Sequence, residues 1–279
     1  MTRVIAIDWS GDKKHAAEKI WAAVVEDGCL VDLFNGRNRE EIRDYLIEAA
    51  ASDPNLIVGL DFAFSMPQSF VGMLRHPPIV DATELWKGIQ DSWGEEWLGG
   101  THPRFWGRVP RDSASSRDQD LRLTESALRD RRGKPLIPKS VFQTGGVGAV
   151  GTGSIRGMPI LFDLHAAGFC IWPFTGPRAA RPVAVEIYPR LFIGNVRKSD
   201  PKQRREHVEQ LLADYDRTML NLASCSEDSF DAACSAMAMW EAVGDLETLP
   251  DVGNGILRME GIIWNPWWRD LHPNWSSIS

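Results

Sequence analysis

The chain has 279 residues, 43% of them hydrophobic, and a formal net charge of −7. That size and composition supply a core for one elaborated domain and exclude disorder. No stretch approaches the ~20 apolar residues of a spanning helix, and the first residues read as a strand running into an acid, so no membrane partner is expected and the expected location is the cytoplasm. Cys29, Cys170, Cys225 and Cys234 form no CxxC pair and have no flanking His pattern. They argue against a zinc site or a disulfide framework and read as buried small hydrophobes.

In chain order, Arg3 to Trp9 alternates as a strand ending at Asp8, with a turn at Trp9-Ser10-Gly11-Asp12. Residues Lys19 to Glu26 and Cys29 to Phe34 flank Asp27-Gly28, a strong hairpin signal. An antiparallel meander of three strands therefore opens the fold. Asn38 to Ser52 places Ile42, Tyr45, Leu46, Ala49 and Ala50 on one helical face, with Asn35 or Asn38 as cap. Leu56 to Phe62 follows as an apolar run typical of a strand buried on both faces. The helix is a crossover, which sets this fourth strand parallel to the first and brings Asp8 and Asp61 to the same sheet edge, where ligands of such sheets collect.

Ser65 to Lys139 loosens into helices and loops. It reads as an insertion at about 65–140 within a single domain spanning 1–279, not as a second domain. From Arg104 to Lys139 there are ten Lys or Arg against five acids, so the segment carries +5 and the remainder −12. Arg104, Arg108, Arg111, Arg117, Arg122 and their neighbours form either a basic strip for nucleic acid or an ordinary solvated surface. Trp86, Trp93, Trp97, Phe105 and Trp106 either stack bases or pack the insertion onto the sheet; His76-Pro77-Pro78 and Thr101 belong to its loops. The glycine-rich run from Gly145 to Ser154 precedes a helical segment, Ile155 to Gly168, interrupted early by Pro159 and carrying Arg156. Its amides suit a phosphate or tight backbone packing, although the spacing matches neither nucleotide-binding glycine fingerprint.

Val183 to Tyr188 reads as the fifth strand, with Ala184, Glu186 and Tyr188 on one side. Asp200-Pro201 starts a helix carrying Val208, Leu211, Leu212 and Tyr215. A last helix begins near Ser226 and carries Asp228 and Asp231 three residues apart, on one face. Asp228 has a first-turn role in the helix dipole; Asp231 lies among Cys234, Ser235 and Ala238, and an acid on such a close-packing face needs a partner. The C-terminal tryptophans, from Trp264 to Trp275, cover the core or a contact between two copies in a homodimer.

Asp8, Asp61, Glu186 and Asp231 are thus acids in apolar settings. If they converge, their repulsion requires compensation, and one or two divalent cations are the usual solution. Four runs, Ile7-Asp8-Trp9-Ser10-Gly11, Gly59-Leu60-Asp61-Phe62-Ala63-Phe64-Ser65, Val185-Glu186-Ile187-Tyr188-Pro189-Arg190 and Phe230-Asp231-Ala232-Ala233, resemble the predicted RNase H-like nucleases grouped as domain of unknown function 429. The resemblance spans most of the chain. It implies an α/β, RNase H-like fold: a mixed five-stranded sheet flanked by helices. It also implies an acidic metal centre at Asp8, Asp61 and Asp231, joined by Glu186 and Asp228. The wider resemblance is to RuvC-type resolvases, from which the chain departs in having Asp61 where they carry a Glu.

The expected chemistry is phosphodiester hydrolysis of nucleic acid with two Mg²⁺ or Mn²⁺ ions bridged by Asp8, with Ser10, Arg156 or Arg190 at the phosphate. Two alternatives belong to other classes. Asp8-Trp9-Ser10-Gly11 before a hairpin also resembles the first phosphate motif of actin-like ATPases, but those need two copies of the β-β-β-α-β unit and only one is seen. The other is a non-catalytic module that binds nucleic acid or protein.

Overall fold

The alternation in the first strands builds the expected meander. In the computed structural model, which describes residues 2–74, 79–100, 102–107, 121–146, 148–176, 180–213, 215–253 and 255–271, β1 (Arg3–Asp8), β2 (Trp21–Glu26) and β3 (Cys29–Phe34) pair antiparallel. Asp27 and Gly28 turn the hairpin at φ 47° and 82°, left-handed values that Gly adopts freely and Asp tolerates. Helix α1 (Arg39–Ser52) starts in a reciprocal cap: Asn38 accepts from the Glu41 amide, and Glu41 accepts from the Asn38 amide. It crosses over to β4 (Ile57–Leu60), which lies parallel to β1.

The sheet has six strands, not five. Their order is β3-β2-β1-β4-β6-β5, with β5 (Cys170–Ile171) and β6 (Val183–Glu186) parallel to each other. The unexpected β5 has two residues, too few to carry a period-two signal.

Each face of the sheet has its own core. Ile5, Ile7, Val58, Leu60 and Ala184 face α1, α2 (Val150–Ala166) and the insertion. Val4, Ala6, Ile57, Val183 and Val185 face α3 (Pro201–Leu211), α4 (Arg217–Ser224) and α5 (Glu227–Glu241), together with Trp264 and Trp268. Helix α5 lies directly on β1 and β2. Glycine at 59 on β4 permits its close approach, because a Cβ there would stand 2.5 Å from Met239 Sδ of α5 and 3.0 Å from the Ile187 side chain. Gly59→Val is expected to push α5 away and cost ~1–3 kcal/mol, seen as a lower urea midpoint; an unchanged midpoint contradicts this packing.

Several expectations are corrected. Helix α2 begins at Val150, five residues earlier than expected, so Gly151 and Gly153 lie within it, and Pro159 sits inside without ending it. A Cβ at Gly151 would stand 2.2 Å from the Val141 carbonyl oxygen, which favours the tight-packing reading of the glycine run; Val147 lies outside the described residues. Tyr215 falls beyond α3, and its hydroxyl accepts from the Leu30 amide. Cys170 and Cys234 are buried, whereas Cys29 and Cys225 are exposed.

The insertion's rings pack into the core on the α1 and α2 side of the sheet, the second of the two fates considered for them. Trp97 stacks on Phe105 at 5.0 Å and on Trp93 at 5.8 Å, and Trp86 Nε1 donates to the Phe64 carbonyl at 2.7 Å. His76-Pro77-Pro78, Thr101, Arg108, Arg111, Arg117 and Trp275 lie outside the described residues. Among the described residues no helix is long and apolar enough to cross a membrane.

Candidate functional site

Strand register decides which acids meet. Ile7 pairs with Leu60, and Leu60 with Glu186; the ladder continues with Asp61 N donating to Ile7 O and Ile187 N to Leu60 O, both at 3.1 Å. Asp8, Asp61 and Ile187 are therefore level at the carboxyl edge and belong to the α5 face. Glu186, level with Leu60, belongs to the α2 face, because side chains alternate along a strand. Helix α5 starts on a Ser226 cap. It brings Asp231, and Asp228 one turn earlier, to the acids of β1 and β4, and buried Ala232, Ala233, Cys234 and Ala236 let it lie close.

The electrostatics show a single cluster. Burial, then Asp61, Asp231 and Asp228, push the Asp8 carboxyl well above the usual range, with Lys198 opposing. Asp61 is pushed up to about 8 by burial and by Asp231, again against Lys198. Burial likewise raises Asp231 and Asp228. Lys198 supplies the compensating charge: its ammonium ion-pairs with Asp231 Oδ2, and Asp231, Asp8 and Asp61 outweigh the burial that would lower its pKa. Nothing in the loop before Asp200-Pro201 signals Lys198 from sequence; only the need to neutralise the acids points to a nearby cation.

Among the described residues no three His, Cys, Asp or Glu side chains stand as a group able to hold a metal ion. The donor chemistry nonetheless fits a hard cation. The candidate donors are carboxylate oxygens, and Asp231 Oδ1 is buried with no hydrogen-bond partner among the described residues, as is Ser235 Oγ one turn on.

Glu186 lies on the other face of the sheet and its carboxylate is taken by other partners, although its charge still helps to raise Asp61. Arg122 Nη1 donates to its Oε2 at 2.8 Å and Nη2 to Oε1 at 2.5 Å, while Phe64 N donates to Oε2 at 2.9 Å. Arg122 also holds Glu125 at 2.8 and 3.0 Å and the Glu260 carbonyl at 2.9 Å. This arginine, counted from sequence in the basic strip, is fully buried and offers no surface charge. Its role is hidden in the sequence, since 64 residues separate it from Glu186.

Of the phosphate candidates, Ser10 and Arg156 belong to the loop after Asp8 or brace it. Ser10 Oγ accepts from the Asp12 amide at 3.2 Å, and the Ser10 carbonyl is held by buried Arg39 at 2.8 and 3.0 Å. Arg156 braces the same loop by donating to Gly11 O. Arg190 is exposed and donates to Val196 O at 2.9 Å. Comparison with protein-family models, curated proteins and solved structures finds no match to this chain, so the family resemblance rests on the four short runs that carry it.

Proposed function

We propose that this chain is a divalent-metal-dependent nuclease of RNase H-like fold, with Asp8, Asp61 and Asp231 as its metal ligands and Asp228 beside them. The observation that carries the reading is the convergence of four acids on one lysine, with Asp231 Oδ1 buried and unpartnered. The meander, the crossover helix and the parallel β4 and β6 agree with a mixed five-stranded core, to which β5 adds an edge.

Mg²⁺ or Mn²⁺ bound there would polarise the phosphate and acidify the attacking water. The chain's own residues prepare the exchange. Ligation requires Asp8 and Asp61 to be ionised, so their raised pKa values make proton release accompany metal binding. Lys198, whose side chain is 40% exposed, has room to leave Asp231 and offer its ammonium to a phosphate oxygen. Arg39 and Arg156 fix the loop after Asp8 through its carbonyls, so the Asp8 end of β1 is held in place.

Lys198 also favours the second reading, a non-catalytic binding module, because its ammonium neutralises part of the cluster without a metal. Cleavage of single-stranded, duplex, hybrid and branched nucleic acids in Mg²⁺ or Mn²⁺ separates the two. Turnover of at least one substrate is expected, with a loss of ~1000-fold or more in Asp8→Asn. Equal turnover in the variant, or silence across the panel from folded protein, rejects the nuclease.

A further inference from the structure

Asp61 has a second neighbourhood. Besides facing the acidic cluster, it lines a cleft of about 230 Å³ at the carboxyl edge of the sheet. One wall is formed by Trp9, Asp61 and Tyr188 at the strand ends, the other by Pro138 and Lys139 of the insertion and Val150 at the start of α2. Asp8, Asp228, Asp231 and Lys198 are not on its lining, so Asp61 is the residue that joins the cleft to the cluster.

We infer that this cleft takes one nucleotide of an unpaired strand, so that the substrate is single-stranded or locally opened nucleic acid. The inference rests on the nuclease reading for the fate of the strand, but not for its binding. Three observations carry it. The volume lies below the ~300–1,000 Å³ of ordinary small-molecule sites, too small for a base together with its paired partner. Tyr188 is half-buried, packed against Leu128, Leu191 and Ile263, and lines the cleft, so its remaining surface offers an aromatic contact to a base or sugar. Lys139, exposed and already engaged within the chain, lines the cleft together with Arg122 and the carboxylates of Asp61, Glu125 and Glu186, and it supplies a cation at the surface for the backbone phosphate.

The reading also assigns the insertion a use. Two of its described arginines are used inside the fold: Arg122 is buried, and Arg129 donates to the Ser126 and Leu128 carbonyls, whereas Arg131 and Arg132 are exposed. By walling Asp61 on one side, the insertion narrows the approach to a single strand.

The test is fluorescence anisotropy of a short labelled strand, as DNA and as RNA, and of its blunt duplex, against the full chain in EDTA and again in Ca²⁺. The single strand is expected to bind ~10-fold or more tightly than the duplex. Tyr188→Ala should weaken that binding ~10-fold and Tyr188→Phe by less than ~2-fold. Lys139→Ala, compared with the parent at an equal melting midpoint, should weaken it and lower its salt dependence. Equal affinity for duplex, no binding in either condition, or unchanged binding in both Tyr188→Ala and Lys139→Ala overturns the inference. Strand preference without metal-dependent cleavage would sink the nuclease and leave the cleft; cleavage lost in Asp8→Asn without strand preference would do the reverse.

Discussion

Replacing Arg122 by Met is expected to cost ~3–5 kcal/mol of stability, enough to unfold a marginal domain at ordinary temperature. The side chains of Arg122, Glu125 and Glu186 are only 1%, 2% and 4% exposed, so removing the cation strands two carboxylates out of water. Burial works against the Arg122 charge, but Glu125 and Glu186 outweigh it and hold its pKa above the ordinary value. Glu125 is raised by its own burial in spite of the arginine. The group is also a junction: it ties the insertion to the end of β6, to Phe64 after β4 and to the Glu260 carbonyl. Two further results distinguish charge stranding from lost packing. Arg122→Met should recover some stability in mild acid, where Glu125, raised by its burial, protonates, and Glu125→Gln with Glu186→Gln should rescue it in part. A loss below ~1 kcal/mol in a denaturant melt contradicts the account.

The second large effect is on pH. The Asp61 carboxyl is raised to about 8 in the folded chain, against ~4 when unfolded, and Asp8 is raised in the same direction. Between those values the folded state binds more protons than the unfolded one, so the slope of stability against pH is negative. The stabilising contribution is fully present below ~4 and is lost as pH rises through about 8. Without metal, stability should fall by ~2–5 kcal/mol between pH ~5 and ~9. At pH ~8 Mn²⁺ should reverse the fall, adding ~2.7 kcal/mol at one hundred times its dissociation constant. Asp8→Asn, which removes one repelled buried charge, should be more stable than the parent at alkaline pH and less responsive to Mn²⁺. A flat pH profile between those limits contradicts the electrostatic reading of the cluster.

Much of this architecture is legible in the residues. Asp27-Gly28, the Asn38 cap, Asp200-Pro201 and the apolar run ending at Asp61 are local signals, and each is set by turn chemistry, capping or periodicity within a few residues. The parallel placement of Asp8 and Asp61 follows from the crossover. What escapes depends on register and distance. Whether Glu186 shares a face with Asp61 turns on Leu60 pairing with residue 186, a one-residue matter that composition does not encode. Lys198 and Arg122 reach their acids from loops and an insertion, 33 and 64 residues away, and ion pairs over such separations leave no periodic trace. The tryptophans of the insertion admit two fates in sequence, of which packing is the commoner for that side chain, and the ring contacts show them packed.

The most direct test of the central claim is Mn²⁺ binding itself, followed by electron paramagnetic resonance and calorimetry at pH ~8, in the parent chain beside Asp8→Asn and Asp231→Asn. The account predicts at least one bound Mn²⁺ per chain, taken up with release of protons, and a loss of affinity of ~10-fold or more in each variant. No binding by the folded parent, or undiminished binding when Asp231 is replaced, would contradict it and leave Lys198 as the chief counter-charge of the cluster.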